Sequence, residues 1–246
     1  MSRVAATLPP AEHDLLCEGC GYTLNGLPDY SNCPECGEPI AESTGVGRRE
    51  PPAWETAPRP SIGAFLATSA HVLFRPTHFY RTLATRRDIR RAASFATIHW
   101  IFDAILFGIA AAVHTVWYQS VGGSYFGVNH WTIPLVIFTL LAYWSLVATT
   151  ALAARLTHWE ATYRGIRLPL LVVKRGLYYH APHYFPVALG SAVTVCVFCW
   201  LLSRGMLDVT WYTRYLYILS AEVILGAFYL FKTYWIGMRN MMYANR

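Results

Sequence analysis

The chain has 246 residues, 54% of them hydrophobic and 15% aromatic, with only 14% charged; an ordinary soluble domain carries about 25% charged residues. The formal charge is +6, but the basic residues sit beside long apolar runs, which is a membrane-topology pattern and not a nucleic-acid face. Nine of the 14 acids precede residue 60, so a polar first quarter is followed by an apolar remainder. The first 16 residues hold no apolar core of signal-peptide length, and no cleaved signal is expected.

The polar quarter contains Cys17-x2-Cys20 and Cys33-x2-Cys36, separated by 12 residues. That spacing is close to a four-cysteine zinc site, which offers the metal a tetrahedron of soft anionic ligands. Gly21 and Gly37 follow the two pairs and permit the turn that aims backbone amides at sulfur. Two disulfides are the alternative, and they need an oxidising compartment. Four cysteines leave no ligand position open, so one structural Zn2+ is expected and not a catalytic one. A module this small needs the metal for its folding energy, on the order of 10 kcal/mol. Residues 1–40 therefore read as a small β-rich zinc ribbon with a short strand and turn between the cysteine pairs. Residues 41–60 are rich in proline and poor in apolar side chains, and read as a flexible linker.

Four apolar runs approach the roughly 20 residues that cross a bilayer. They lie near 94–117, 131–153, 184–202 and 212–231, with Trp and Tyr at their ends. Eighteen of the 20 Lys and Arg residues fall on one side of the resulting topology and two, Arg204 and Arg214, on the other. The bias predicts a multi-pass protein with both termini cytoplasmic, which places the cysteine module on the reducing side and favours zinc over disulfides. Ser61–Thr82, cut by Arg75-Pro76, and Ile166–Tyr184, interrupted by Lys174-Arg175, are expected as interfacial helices.

Two acids lie within the spans, Asp103 in the first and Glu222 in the fourth. Each is roughly 13 Å from the cytoplasmic side at helical rise. His99 precedes Asp103 by four residues, on the same helical face. A His99–Asp103–Glu222 cluster is geometrically allowed, either as a proton relay, metal site or substrate contact, or as a hydrogen-bonded structural cluster. Cys196 and Cys199, inside the third span, read as small buried residues. His180 and His183 read as interface anchors. No paired metalloprotease histidines, G-x-S-x-G or phosphate-cradling loop occurs.

The run Cys-x-x-Cys-Gly-Tyr-x-Leu-x-Gly-Leu-Pro, followed by Cys-Pro-x-Cys-Gly, resembles a bacterial zinc-ribbon module often fused to membrane segments. Val72–Arg81 (VLFRPTHFYR) and Val172–Pro182 (VVKRGLYYHAP), with the spans, resemble the Yip family of Rab-interacting membrane proteins over residues 61–246. That family usually has five predicted spans, where this sequence offers four. The resemblance implies an all-α transmembrane bundle with no established catalytic site, in the cell inner (cytoplasmic) membrane. The combined reading is a non-catalytic membrane protein, an interaction or membrane-organising adaptor. Its partners are the lipid bilayer and a protein captured by the ribbon, and a homo-oligomer is compatible with it. The alternative is a transporter or membrane enzyme using His99, Asp103 and Glu222.

Overall fold

A computed structural model describes residues 14–44, 49–85, 89–120 and 131–245. The described residues are mostly helical. In chain order the α-helices are α1 (Ala41–Thr44), α2 (Ala53–Thr56), α3 (Ile62–Phe74), α4 (Pro76–Thr82), α5 (Ile89–Ser120), α6 (Thr132–Tyr163), α7 (Leu170–His180), α8 (Tyr184–Ser203) and α9 (Tyr212–Met241). A 3-10 turn at Ala181–His183 joins α7 to α8 without a loop.

Four helical stretches are long and apolar enough to cross a membrane: Ile89–Ser120, Thr132–Tyr163, Leu170–Ser203 and Tyr212–Met241. They coincide with the four expected spans, and each runs beyond the apolar window that identified it. Helical hydrogen bonding continues into polar sequence wherever tertiary packing supports it. The Ser61–Thr82 segment breaks where expected. Ser61 caps α3 by accepting the Ala64 amide at 3.2 Å. Arg75 then leaves helical geometry at φ −137°, ψ 52°, and Pro76 opens α4. Proline disfavours the α conformation in the residue before it, yet suits the first position of a new helix.

The chain divides into two compact units. The first comprises Met1–Phe95, Thr150–His180 and Thr233–Arg246, and the second Ala96–Thr149 and Ala181–Lys232.

The first unit is held by an aromatic cluster and a ring of buried polar bonds. Trp54, Phe65, Phe95, Phe79 and Tyr179 meet ring to ring at 5.2–6.1 Å between centroids. Ala154, Ala161, Leu168, Val173, Leu177 and Met238 form a second apolar core. Arg175 is 1% exposed, donates to the Ala84 carbonyl at 2.7 Å and pairs with Glu55 at 2.7 Å. Tyr179 also donates to Glu55. Residues 41–60, expected as a flexible linker, carry α1, α2, the buried Trp54 and this buried Glu55. The Trp54 amide donates to Thr68 Oγ1 and its indole N–H to the Arg91 carbonyl. The prolines that read as linker punctuation thus frame anchored residues within the first unit.

The second unit packs on small and aromatic residues. Phe198 stacks on Tyr215 at 4.0 Å between centroids, with Trp117 edge-on to Phe198 at 5.8 Å. Gly108 of α5 lies so close to α6 that an added Cβ would stand 2.0 Å from Thr139 Oγ1 and 3.0 Å from the Leu135 carbonyl. Close backbone approach of this kind is how helices associate where lipid removes the hydrophobic drive between them. Phe102, Leu141, Trp144, Val223, Leu225 and Phe228 are exposed on this unit. So large an apolar surface suits a lipid solvent and would be a liability in water.

Candidate metal centre

The two cysteine pairs are built as a structural repeat offset by sixteen residues, with Cys17, Cys20 and Gly21 matching Cys33, Cys36 and Gly37. In the first, the Cys17 amide donates to the Tyr22 carbonyl and the Gly21 amide to the Cys17 carbonyl, both at 2.8 Å. In the second, the Cys33 amide donates to the Glu38 carbonyl at 2.8 Å and the Gly37 amide to the Cys33 carbonyl at 2.9 Å. Gly21 and Gly37 have φ of 82° and 77°, a conformation that costs a side-chain-bearing residue about 1 kcal/mol or more. Each turn closes with one isolated bridge, Leu16 with Thr23 and Asn32 with Pro39. Among the described residues there is no β-strand. The expected β-rich ribbon is therefore represented by two bridged turns, because each pairing stops after a single residue pair.

The repeat brings the sulfurs together crosswise. Cys17 Sγ lies 3.5 Å from Cys36 Sγ, and Cys20 Sγ 3.6 Å from Cys33 Sγ. All four sulfurs lie within 4.8 Å of one another. A tetrahedral Zn2+ with Zn–S of about 2.3 Å places its sulfurs about 3.8 Å apart, so the cluster fits a four-coordinate ion with slight expansion. No disulfide joins these cysteines. Cys17, Leu24, Cys33 and Ile40 form the module's buried core, and Leu24 and Ile40 are again equivalent under the sixteen-residue offset. Burial pushes the Cys20 thiol well up, reinforced by the other three thiols and opposed by one amide contact at Tyr22. Burial also acts upward on Cys33, but the Cys36 and Glu35 amides, together with the Cys20 and Cys36 thiols, outweigh it and bring that thiol down to about 7. Four thiolates this close need a cation to neutralise them, and a divalent soft ion supplies that charge.

The module is bolted to other parts of the first unit. Glu18, between the first two cysteines, pairs bidentately with Arg49 at 2.9 Å, both side chains being 6% exposed. Arg49 donates further to the carbonyls of Tyr80, Leu83 and Asn240, each at 3.2 Å. Asn245 grips the turn from the opposite direction. Its Oδ1 accepts the Leu16 amide at 2.9 Å, while its Nδ2 donates to the carbonyls of Leu16 at 2.6 Å and Ser43 at 3.0 Å. Its amide donates to Glu18 Oε1 at 3.0 Å. Tyr243 packs against Gly21, where a Cβ would meet its ring at 2.5 Å. None of these contacts has a sequence signal of its own.

The intramembrane residues that spacing allowed to cluster carry these hydrogen bonds. Asp103 is 0% exposed, and neither carboxylate oxygen has a hydrogen-bond partner. Glu222 accepts from Thr194 through Oε1, and its Oε2 is buried without a partner. No hydrogen bond therefore joins Asp103 to Glu222 or to His99, which is buried at 7% exposure. His183 is bonded to Tyr229 at 2.8 Å and His180 to Thr233 at 2.9 Å. Cys199 packs in the apolar core with Ala192, Val195 and Phe198. Among the described residues, the four cysteines of the module form the one grouping of metal-ligating side chains of three or more. No family model, curated protein or solved structure matches the chain.

Proposed function

We propose that the chain is a non-catalytic integral membrane protein whose four-cysteine module holds one structural Zn2+ and serves as an interaction or membrane-organising adaptor. The observation that carries this reading is the closed donor set: four sulfurs within 4.8 Å supply every position of a tetrahedral ion. Such a site shapes a surface and leaves no coordination position for substrate. The surface it shapes includes Tyr30, which is 92% exposed, the kind of aromatic side chain that anchors protein contacts. Arginine asymmetry supports a cytoplasmic module in the inner membrane. The Yip-like runs Val72–Arg81 and Val172–Pro182 support a membrane domain of that type. The contacts of Arg49 and Asn245 make the module a fixed part of the first unit, so we read it as a mounted recognition surface.

Two measurements on full-length protein test this. Purified protein should carry one zinc per chain, and Cys17→Ser with Cys33→Ser should remove it. A protein that binds no zinc sinks the metal assignment. In cells, a photoreactive residue at position 30 should give discrete protein crosslinks that disappear in the cysteine variant. Crosslinks that survive metal loss sink the adaptor reading.

One observation favours a second reading, a transporter or membrane enzyme: the unpartnered Asp103 carboxyl at 0% exposure. Intramembrane acids are costly and mark ion or substrate pathways often enough to be tested. If Asp103→Asn abolishes the cellular phenotype while zinc content and crosslinks persist, this reading replaces the first.

A further inference from the structure

His71 and His78 meet across the break between α3 and α4. Residues seven apart in an unbroken helix stand about 10.5 Å apart along its axis. Here the non-helical Arg75 and the restart at Pro76 fold α4 back. His71 Nε2 then lies 3.1 Å from His78 Nδ1, with ring centroids at 5.2 Å. The pair borders a cleft of about 270 Å³ whose lining also includes Glu50, Pro52 and Thr82. Glu50 has an exposed side chain on a fixed backbone, since its amide donates to the Thr82 carbonyl at 2.7 Å and its carbonyl accepts from Ala84 at 3.1 Å.

We propose that His71 and His78 form a second metal site that takes a divalent transition ion of the zinc type, with the exposed Glu50 side chain on the same cleft, which stands outside ligand range before loading, turning in as third ligand. Two nitrogens 3.1 Å apart, each about 2.1 Å from a metal, subtend roughly 95° at it. A modest rotation of either ring opens that angle to the tetrahedral value. Imidazole and carboxylate are the donors that zinc, nickel and copper ions share, and they are harder than the four thiolates of the first centre. Loading balances simply. The ring that donates in the His–His hydrogen bond shifts to its other tautomer, both facing nitrogens become ligands, and the pair releases no net proton. Two histidines and one carboxylate leave a fourth position for water, the arrangement of an open site. The cleft provides room for it.

The test uses full-length protein in detergent, purified without a polyhistidine tag and titrated with Co2+. Wild type is expected to bind two equivalents, one of them giving intense thiolate-to-cobalt absorption. His71→Asn combined with His78→Asn should bind one equivalent with that absorption unchanged. Glu50→Gln should weaken the second equivalent by about tenfold or more. The thiolate band doubles as a folding control, because a misfolded variant loses it. Should the histidine variant misfold, wild-type protein still decides the matter. Ethoxycarbonylation with diethyl pyrocarbonate, mapped by mass spectrometry, should show His71 and His78 protected by the second equivalent. One equivalent in wild type, two in the histidine variant, or labelling unaffected by metal overturns the site. An unchanged affinity in Glu50→Gln removes Glu50 from it.

Discussion

The two units treat buried charge in opposite ways. In the first, each deeply buried acid described is paired with an arginine, Glu18 with Arg49 and Glu55 with Arg175, although Nη1 of Arg175 is buried without a hydrogen-bond partner. Backbone carbonyls take the remaining guanidinium donors of Arg49, and Ala84 takes one from Arg175. In the second, Asp103 has no partner, and Glu222 has only the Thr194 hydroxyl. The pairs of the first unit bridge 31 and 120 residues of sequence. They specify which segments meet, a role for which buried ion pairs are retained even when their net energy is small. In the second unit no acid is paired with a base: Asp103 makes no hydrogen bond, and Glu222 ties α9 to α8 through the Thr194 hydroxyl alone. What shapes that unit is aromatic stacking and the close approach at Gly108.

Three substitutions test this contrast. The largest effect is expected from Glu55→Gln, which strands a guanidinium that is 1% exposed. Breaking a buried pair from one side costs about 3–5 kcal/mol, read as a lower denaturation midpoint in detergent. Replacing both partners, Glu55→Leu with Arg175→Met, should recover most of that loss, and a double variant as weak as the single one breaks the comparison. A smaller effect is expected from Asn245→Ala, which leaves the buried Leu16 amide and the Leu16 and Ser43 carbonyls without this partner. Unsatisfied buried groups cost about 1–3 kcal/mol, and protease cleavage between residues 16 and 44 should rise while the spans stay intact. The smallest effect is expected from Asp103→Asn, about 1 kcal/mol or less, because no hydrogen-bonded charge partner is lost. A cost equal to that of Glu55→Gln would place Asp103 in a charge network like that of the first unit.

Much of this architecture is legible from sequence because its causes are local. The two C-x-x-C-Gly turns, the four apolar runs and the Arg75-Pro76 break each follow from a few adjacent residues. The roles of the arginines are not local. Counting charge treats Arg49 and Arg175 as topology markers in water, whereas both are buried ligands of acids far along the chain. The prolines of residues 51–60 read as linker for the same reason: composition shows where a chain turns, and not what its Trp54 and Glu55 reach. The hydrogen bonding of His99, Asp103 and Glu222 shows the converse limit. Helical spacing put the residues at matching depths, but depth fixes neither helix rotation nor the partner that Thr194 provides to Glu222.

The grip of Asn245 on Leu16 spans 229 residues, and that distance has a consequence for synthesis. At about 5–20 residues per second, the first cysteine turn leaves the ribosome roughly 10–45 s before the residue that clamps it. All four membrane stretches are made in the interval. A bare set of thiols must therefore either load its metal early and wait, or stay open until the last helix arrives. Nascent chains arrested before and after residue 245 would show which of these the cell uses.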